Sequence, residues 1–406
     1  MEVEAIWQIA STTDDGQRRM DKAYFEEAVK VTQDLVKIPS VNPTIGEKEI
    51  SHYVERYMKE AGVEVVRKNV LPDRDNIIGR LRGSGQRPPL AIVAHMDTVP
   101  LGEGWTKPPF DALIEDGRIY GRGAADMKSG LAASLVTLKY LAQNRKQLKG
   151  DFLLCATIDE ESMMQGAADL VDAGIVGNDA TLIATEPSHL QMVVAHKGVA
   201  WFEIKTYGKN AHAGTPYRGA DAIHAMALIL IKIKQKIEEL GIEDPLVGRT
   251  YVSIGKIQGG EKTNVVSGNC RAEIDLRYPP PLTPESVTAL IQEIARTGGQ
   301  EVAGTRGEAL IMIPPRPSLR IDPQARILTD MRKAYREIMG SEIKEIGVPY
   351  YTDVGTISVK TGNKKCLVFG PGNIEQAHGP DEYVEIDQIG KATHILARTV
   401  ELHLAE

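Results

Sequence analysis

Four short runs of the chain, LAIVAH (Leu90–His95), DFLLCATI (151–158), ATLIAT (180–185) and KCLVFG (365–370), are apolar almost throughout. A strand with one wet face alternates apolar and polar residues. Unbroken apolar runs of this length suit strands buried on both faces of a mostly parallel sheet. Apolar residues at helical spacing recur around them, in 23–36, 47–61, 128–144, 162–173 and Ile386–Leu404. Alternating strands and helices of this kind predict an α/β domain, a mostly parallel sheet with helices on both faces.

From about His196 the texture changes. GVAWFEIKTYG, RTYVSIGKIQGG and NVVSGNCRAEIDLRY alternate, as half-exposed antiparallel strands do, and helical stretches at 220–240 and 284–296 separate them. With a fourth strand near 309–313, the order β, α, β, β, α, β fits a small ferredoxin-like α+β domain inserted into the first. At 406 residues the chain exceeds what one hydrophobic core supports. The expected organisation is therefore a catalytic domain over 1–195 and 315–406, interrupted by an inserted domain over 196–314, with the proline-rich IPPRPSL as the return linker.

In open α/β sheets, ligands bind beyond the carboxyl ends of the strands. Each of the four runs leads into a candidate metal ligand: His95 at the end of the first, Asp159-Glu160-Glu161 after the second, Glu186 after the third, and a loop carrying His378 after the fourth. Asp126, in GRGAADMKSG, precedes a helix. Singly, each has a plain structural explanation, such as a helix N-cap for Asp126. Together they converge two histidines and several carboxylates on one sheet edge, a mixture that borderline cations such as zinc favour. The set exceeds the three protein ligands of a single catalytic zinc and fits a bridged pair of divalent ions with a water between them. Of the adjacent Glu160 and Glu161, one can bind metal while the other stays free as general base. Asp97, two residues beyond His95, can orient its imidazole.

A formal charge of -7, with 25% charged and 42% hydrophobic residues, gives no reason to expect nucleic acid or an anionic membrane as partner. Cys155, Cys270 and Cys366 are widely spaced, and two lie in apolar runs, so buried free thiols are expected. The opening MEVEAIWQIASTTDDGQRRM has neither a basic leader nor an apolar signal core, which points to the cytoplasm.

AHMDTVP, GRGAADMKSG, ATIDEES, ATEPS, KGVAWFEIKTYGKNAHAGTPYRGADAI and GPGNIEQAHGPDEYV occur in the order found in the metallopeptidase family M20, which the chain resembles over nearly its whole length. That family includes amino-acid deacylases, a desuccinylase and carboxypeptidases. The resemblance implies that His95 and His378 each bind one of two metals, that Asp126 bridges them, and that Glu161 and Glu186 are terminal ligands. Glu160 becomes the general base and Asp97 the residue orienting His95. It further implies that His212 polarises the scissile carbonyl in a partner subunit and that Asn264 and Arg277 bind a substrate carboxylate. Backbone around Gly372 could add polar contacts. The insert becomes a lid and dimerisation domain of a homodimer. Glu186, where several family peptidases carry Asp, tilts the activity toward deacylation of an N-acyl amino acid, with a carboxypeptidase or dipeptidase acting on short peptides as the alternative.

Two rivals compete with this reading. GRGAAD nearly spells a dinucleotide fingerprint, but Asp126 stands where a glycine allows close packing and would repel a pyrophosphate. A binding protein that kept the fold and lost catalysis would not need every catalytic position filled, as they are here.

Overall fold

The computed structural model describes residues 22–44, 46–144 and 147–405, so the leader reading of the first twenty residues lies outside the described residues. The chain forms two compact units: the described residues up to Val194 with Arg320–Ile346 and Thr352 onward, and Ala195–Leu319 with Gly347–Tyr351.

The four apolar runs lie side by side as the parallel centre of the first unit's sheet, in the order Phe152–Thr157, Leu90–His95, Thr181–Ala184, Cys366–Val368. Every residue of these strands is buried. An antiparallel hairpin, Glu64–Leu71 with Arg74–Leu81, extends one side, and Met192–His196 pairs antiparallel on the other. The sheet is therefore mixed, with the expected parallel core. Helices Lys22–Val36, Ser129–Gln143 and Ile386–Leu404 pack together in one layer, and Gln165–Asp172 with Asp353–Thr361 in another. The latter helix and Arg326–Met339 have no counterpart in the sequence reading: Asp353–Thr361 is short and gives little periodic signal, whereas Arg326–Met339 carries a clear helical spacing in Ile327, Leu328, Met331 and Ala334 that the reading left out.

The helix expected over 162–173 begins only at Gln165. Asp159 and Met164 take left-handed backbone conformations (φ 67° and 57°), and turns occupy the space between them. Glu160 and Glu161 thus sit in a turn rather than in extended chain. Register in the parallel core is fixed by the ladder: His95 lies opposite Thr157, and Ala184 opposite both Val93 and Val368. The chemistry-bearing residues just beyond are thereby delivered to one edge.

In the second unit, Tyr251–Gly259, Asn269–Tyr278, Gly198–Tyr207 and Arg306–Ile311 form a four-stranded antiparallel sheet in that spatial order. With helices Ala222–Leu240 and Pro284–Gly298 this is the ferredoxin-like arrangement. Alternate residues of the central strands, among them Phe202, Ile204, Ile274 and Leu276, meet Ile229, Ile233, Val287 and Ile291 of the helices. The caps agree with the local sequence: Asp221 accepts from the N–H groups of Ile223 and His224, and Thr283 and Ser286 form a capping box ahead of Pro284. Tyr251–Gly259 is an edge strand, exposed along most of its length. The three cysteines are buried and free. No helix among the described residues is long and apolar enough to cross a membrane.

Gly130 opens the helix Ser129–Gln143 directly against the main chain before Glu186: a Cβ there would lie 1.9 Å from the Thr185 carbonyl oxygen. Replacing an exposed helical glycine with alanine stabilises by about 1 kcal/mol. Here the overlap, with backbone that cannot rotate away, should reverse the sign, and Gly130→Ala should destabilise by roughly 1–3 kcal/mol in urea unfolding. A variant as stable as the parent would mean that the helix and strand are not locked together.

Candidate metal centre

The edge of the parallel core gathers two groups of donor atoms. His95, Asp126 and Glu186 form one, Asp126, Glu161 and His378 the other, and within each group the donor atoms lie within 4.8 Å of one another. Asp126 belongs to both. Its Oδ1 is 3.2 Å from His95 Nε2, and its Oδ2 is 3.4 Å from His378 Nε2. Glu186 Oε2 is 3.6 Å from His95 Nε2, and Glu161 Oε1 is 3.2 Å from His378 Nε2.

Neighbouring contacts orient these groups. His95 Nδ1 is 2.9 Å from the main-chain carbonyl of Asp97, which can only accept, so Nδ1 carries a proton and Nε2 is the nitrogen turned toward the carboxylates, a donor to Asp126 when the ring is an imidazolium and a lone-pair ligand when it is neutral. The sequence reading assigned that orienting role to the Asp97 carboxylate. The carboxylate is 3.6 Å away and serves a different purpose, since Oδ1 accepts the N–H of Glu160 while Oδ2 accepts those of Glu161 and of the Asn42 amide. It therefore fixes the turn that presents both glutamates. Behind it Arg74 bridges buried Glu47 and Asp159, and Glu47 in turn accepts the Asp159 N–H. Asp159, offered with Glu160 and Glu161 as a candidate ligand, belongs to neither donor group and supports the turn instead, while Asn42, Glu47 and Arg74 were missed as site residues because nothing in their local sequence distinguishes a site support from a surface or cap residue.

The electrostatics are those of too many carboxylates for their surroundings. Burial raises Glu186 to about 8. It also drives Glu160 well above the usual carboxylate range, aided by the charges of Glu186, Asp353 and Glu161. Glu161 is raised by burial and by Asp126. Burial would raise Asp126 too, but hydrogen bonds from His378 and His95 outweigh it and hold that carboxyl below its ordinary value. His95 is raised against the effect of burial by Glu186 and Asp126. Hydrogen bonds to Asp126 and Glu161 raise His378 to about 10. Protons shared across these groups balance charge that divalent cations would balance better. Asp353, another residue missed in sequence, is buried at the start of its helix and accepts from the Thr157 hydroxyl at 2.6 Å.

Glu160 is buried and belongs to neither donor group. In the second unit, His212 and Asn264 are exposed neighbours: His212 pairs with Val265, and the Ala213 N–H donates to the Asn264 carbonyl. His212 Nδ1 accepts the Gly214 N–H at 3.0 Å, leaving the imidazole proton on Nε2. Arg277 donates through Nε and Nη2 to Asp275 on its own strand. Gly372 does not have the expected free backbone donor. Its N–H donates to Gln388 Oε1, its carbonyl accepts from His189, and the Gly370 N–H is likewise taken by the Ser188 hydroxyl.

The model of peptidase family M20/M25/M40 matches residues 91–402. An acetylornithine deacetylase of Myxococcus xanthus is 31% identical over 364 residues, 86% of this chain and 90% of the relative. Among solved structures, aminopeptidase PepT of Bacillus cereus superposes with a TM-score of 0.76 at 23% identity, covering 93% of this chain and 98% of that one. The Bacillus subtilis YXEP protein, described as a dinuclear metal binding peptidase, does so with a TM-score of 0.73 at 20% identity, covering 95% and 99%. The chain belongs to the M20 peptidase family, as its sequence motifs implied, and the enzymes of that family hydrolyse amide bonds.

In protein stripped with chelator, His378 should remain an imidazolium through neutral pH, because its raised pKa keeps the proton bound until about pH 10. Nitrogen-15 NMR of labelled histidine would read this directly. Titration near 6.5 would mean that Asp126 and Glu161 do not grip the ring.

Proposed function

We propose that the chain is a two-cation amidohydrolase that removes the acyl group from an N-acyl amino acid or a related small amide bearing a carboxylate. The observation that carries this reading is Asp126, whose two oxygens face His95 and His378 separately, as a carboxylate shared by two ions must. In this reading His95, Asp126 and Glu186 hold one divalent ion, and Asp126, Glu161 and His378 hold the other. The imidazole–carboxylate donor set suits zinc first, with cobalt or manganese as alternatives. When bound, the ions polarise the scissile carbonyl and lower the pKa of the attacking water.

Glu160 accepts the proton of that water and returns it to the leaving amine. A buried carboxyl with a raised pKa suits a group that must hold a proton between the two transfers. The inserted unit acts as lid and dimer contact. His212, with its proton on Nε2, donates to the acyl carbonyl of a substrate bound in the partner subunit, and Asn264 and Arg277 bind the substrate carboxylate. Arg277 Nη1 stays outside the Asp275 pair and is the donor best placed to be shared. The exposed edge strand Tyr251–Gly259, with Tyr251, Ile254 and Ile257 outward, suits pairing with a second copy. Relatives named for acetylornithine make N-acetylornithine the first substrate to try, and the same machinery would serve a short peptide.

Steady-state assays on N-acetylornithine, other N-acyl amino acids and dipeptides should give turnover that a chelator abolishes and zinc, cobalt or manganese restores. Glu160→Gln should keep two metals per subunit and lose about 10²–10⁴-fold in kcat. Activity surviving complete metal removal, or loss of metal in Glu160→Gln, would sink the assignment. Mixing two inactive variants, Glu160→Gln and His212→Ala, tests the partner role. If His212 acts across a two-fold dimer, random subunit exchange should restore about a quarter of parental activity, because half the dimers then carry one complete site. No recovery after proven exchange would confine His212 to its own subunit.

A further inference from the structure

The residue shared by the two donor groups and the histidine of the second group are both tied by their main chains to one buried ion pair. Arg122 and Glu382 are each 1% exposed, with Nη1 and Oε2 2.6 Å apart. Glu382 Oε1 accepts the main-chain N–H groups of Ala125, at 2.9 Å, and of Asp126 itself, at 3.0 Å. Arg122 Nη2 donates to the main-chain carbonyls of Leu101, Pro100 and His378 at 3.0, 3.2 and 3.3 Å. Two distant motifs meet here because Tyr383–Glu385 pairs antiparallel with Arg118–Tyr120, and the Gly121 N–H continues the contact to the Glu382 carbonyl.

His378 needs such an anchor. It is exposed, lies outside regular structure and has φ of 64°, so neither a strand ladder nor packing of its ring fixes its direction. Asp126 stands in an irregular segment of its own, with φ of -120° and ψ of 98° inside an otherwise helical stretch. A buried ion pair is in general weak evidence for stability, since apolar residues of similar size often serve a core as well. Arg122 Nε, moreover, is buried without a hydrogen-bond partner among the described residues. What apolar residues could not replace is the set of hydrogen bonds that the pair sends to Asp126 and His378.

We propose that Arg122 and Glu382 are positioning residues that set the spacing of the two cation sites, Glu382 by holding the main chain of the shared Asp126 and Arg122 by holding that of His378. The inference rests on the two-cation reading above. Their effects should differ. Losing the Arg122 contact disturbs the site of Glu161 and His378 alone, whereas losing the Glu382 contacts disturbs both sites.

The test is calorimetric titration of zinc into chelator-stripped protein, with His378→Ala marking which binding step belongs to its site, and with circular dichroism and thermal unfolding as the check on folding. Arg122→Lys keeps the buried charge opposite Glu382 but cannot supply the same fork of donors. It should weaken the His378 step roughly 10–100-fold, the usual effect of removing a group that orients a ligand, and leave the other step unchanged. Glu382→Ala should weaken both steps. Glu382→Gln, which keeps an acceptor for the Ala125 and Asp126 N–H groups, should weaken them less than Glu382→Ala. Parental affinity at both steps in folded Arg122→Lys would overturn the proposal, as would equal loss at both steps, because a general defect in folding does not choose between the sites. If the parent protein binds fewer than two zinc ions, it is the two-cation reading that fails.

Discussion

The hydrogen-bond ladder of four parallel, fully buried strands is the constraint on which the rest of the first unit depends. Because Leu90–His95 pairs in register with both Phe152–Thr157 and Thr181–Ala184, and the latter with Cys366–Val368, the four chains leave the sheet at one edge. A slip of one residue would turn His95 to the other face of the sheet. Burial on both faces makes such a slip costly, because close-packed side chains of different size would each meet a neighbour shaped for another. The precision of the donor cluster is thus inherited from the backbone.

What the ladder gathers is electrostatically awkward. Asp126, Glu161, Glu186 and Glu160 are brought together in a largely buried place, with two imidazoles as their nearest counterweights. The displaced proton affinities of both histidines and of the three glutamates describe a cluster short of positive charge. Such a cluster is tolerable if it is held rigidly and supplied with cations. Rigidity comes from two polar networks: Asp97 with Asn42, Arg74, Glu47 and Asp159 under the glutamate turn, and Arg122 with Glu382 under Asp126 and His378. Both put charged groups where a core would ordinarily be apolar. That is the pattern expected where geometry matters more than stability.

The second unit obeys different rules. Its alternating strands bury one face against two helices, and its candidate substrate groups, the exposed His212 and Asn264 and the half-buried Arg277, lie on short bridges and a strand end rather than deep in a core. The tautomer of His212 is set by one hydrogen bond from the Gly214 N–H. Arg277 is already half engaged by Asp275 through Nε and Nη2.

The amino-acid sequence by itself determined the parallel core, the ferredoxin-like insert and the residues at the strand ends, because unbroken apolar runs, alternation and helical spacing are local properties of the chain. Its motifs also carried the family. It could not determine the turn at Asp159–Met164, which depends on left-handed residues and on caps from Asp97, nor the use of the Gly370 and Gly372 N–H groups by Ser188 and Gln388. Arg122 and Glu382 stand inside recognised motifs, yet their partnership spans 260 positions and is visible only once Tyr383–Glu385 pairs with Arg118–Tyr120. Hydrogen bonds between residues far apart in the chain leave no periodic trace in it. Tertiary structure therefore decided how the candidate ligands are held, while the sequence decided which residues are candidates.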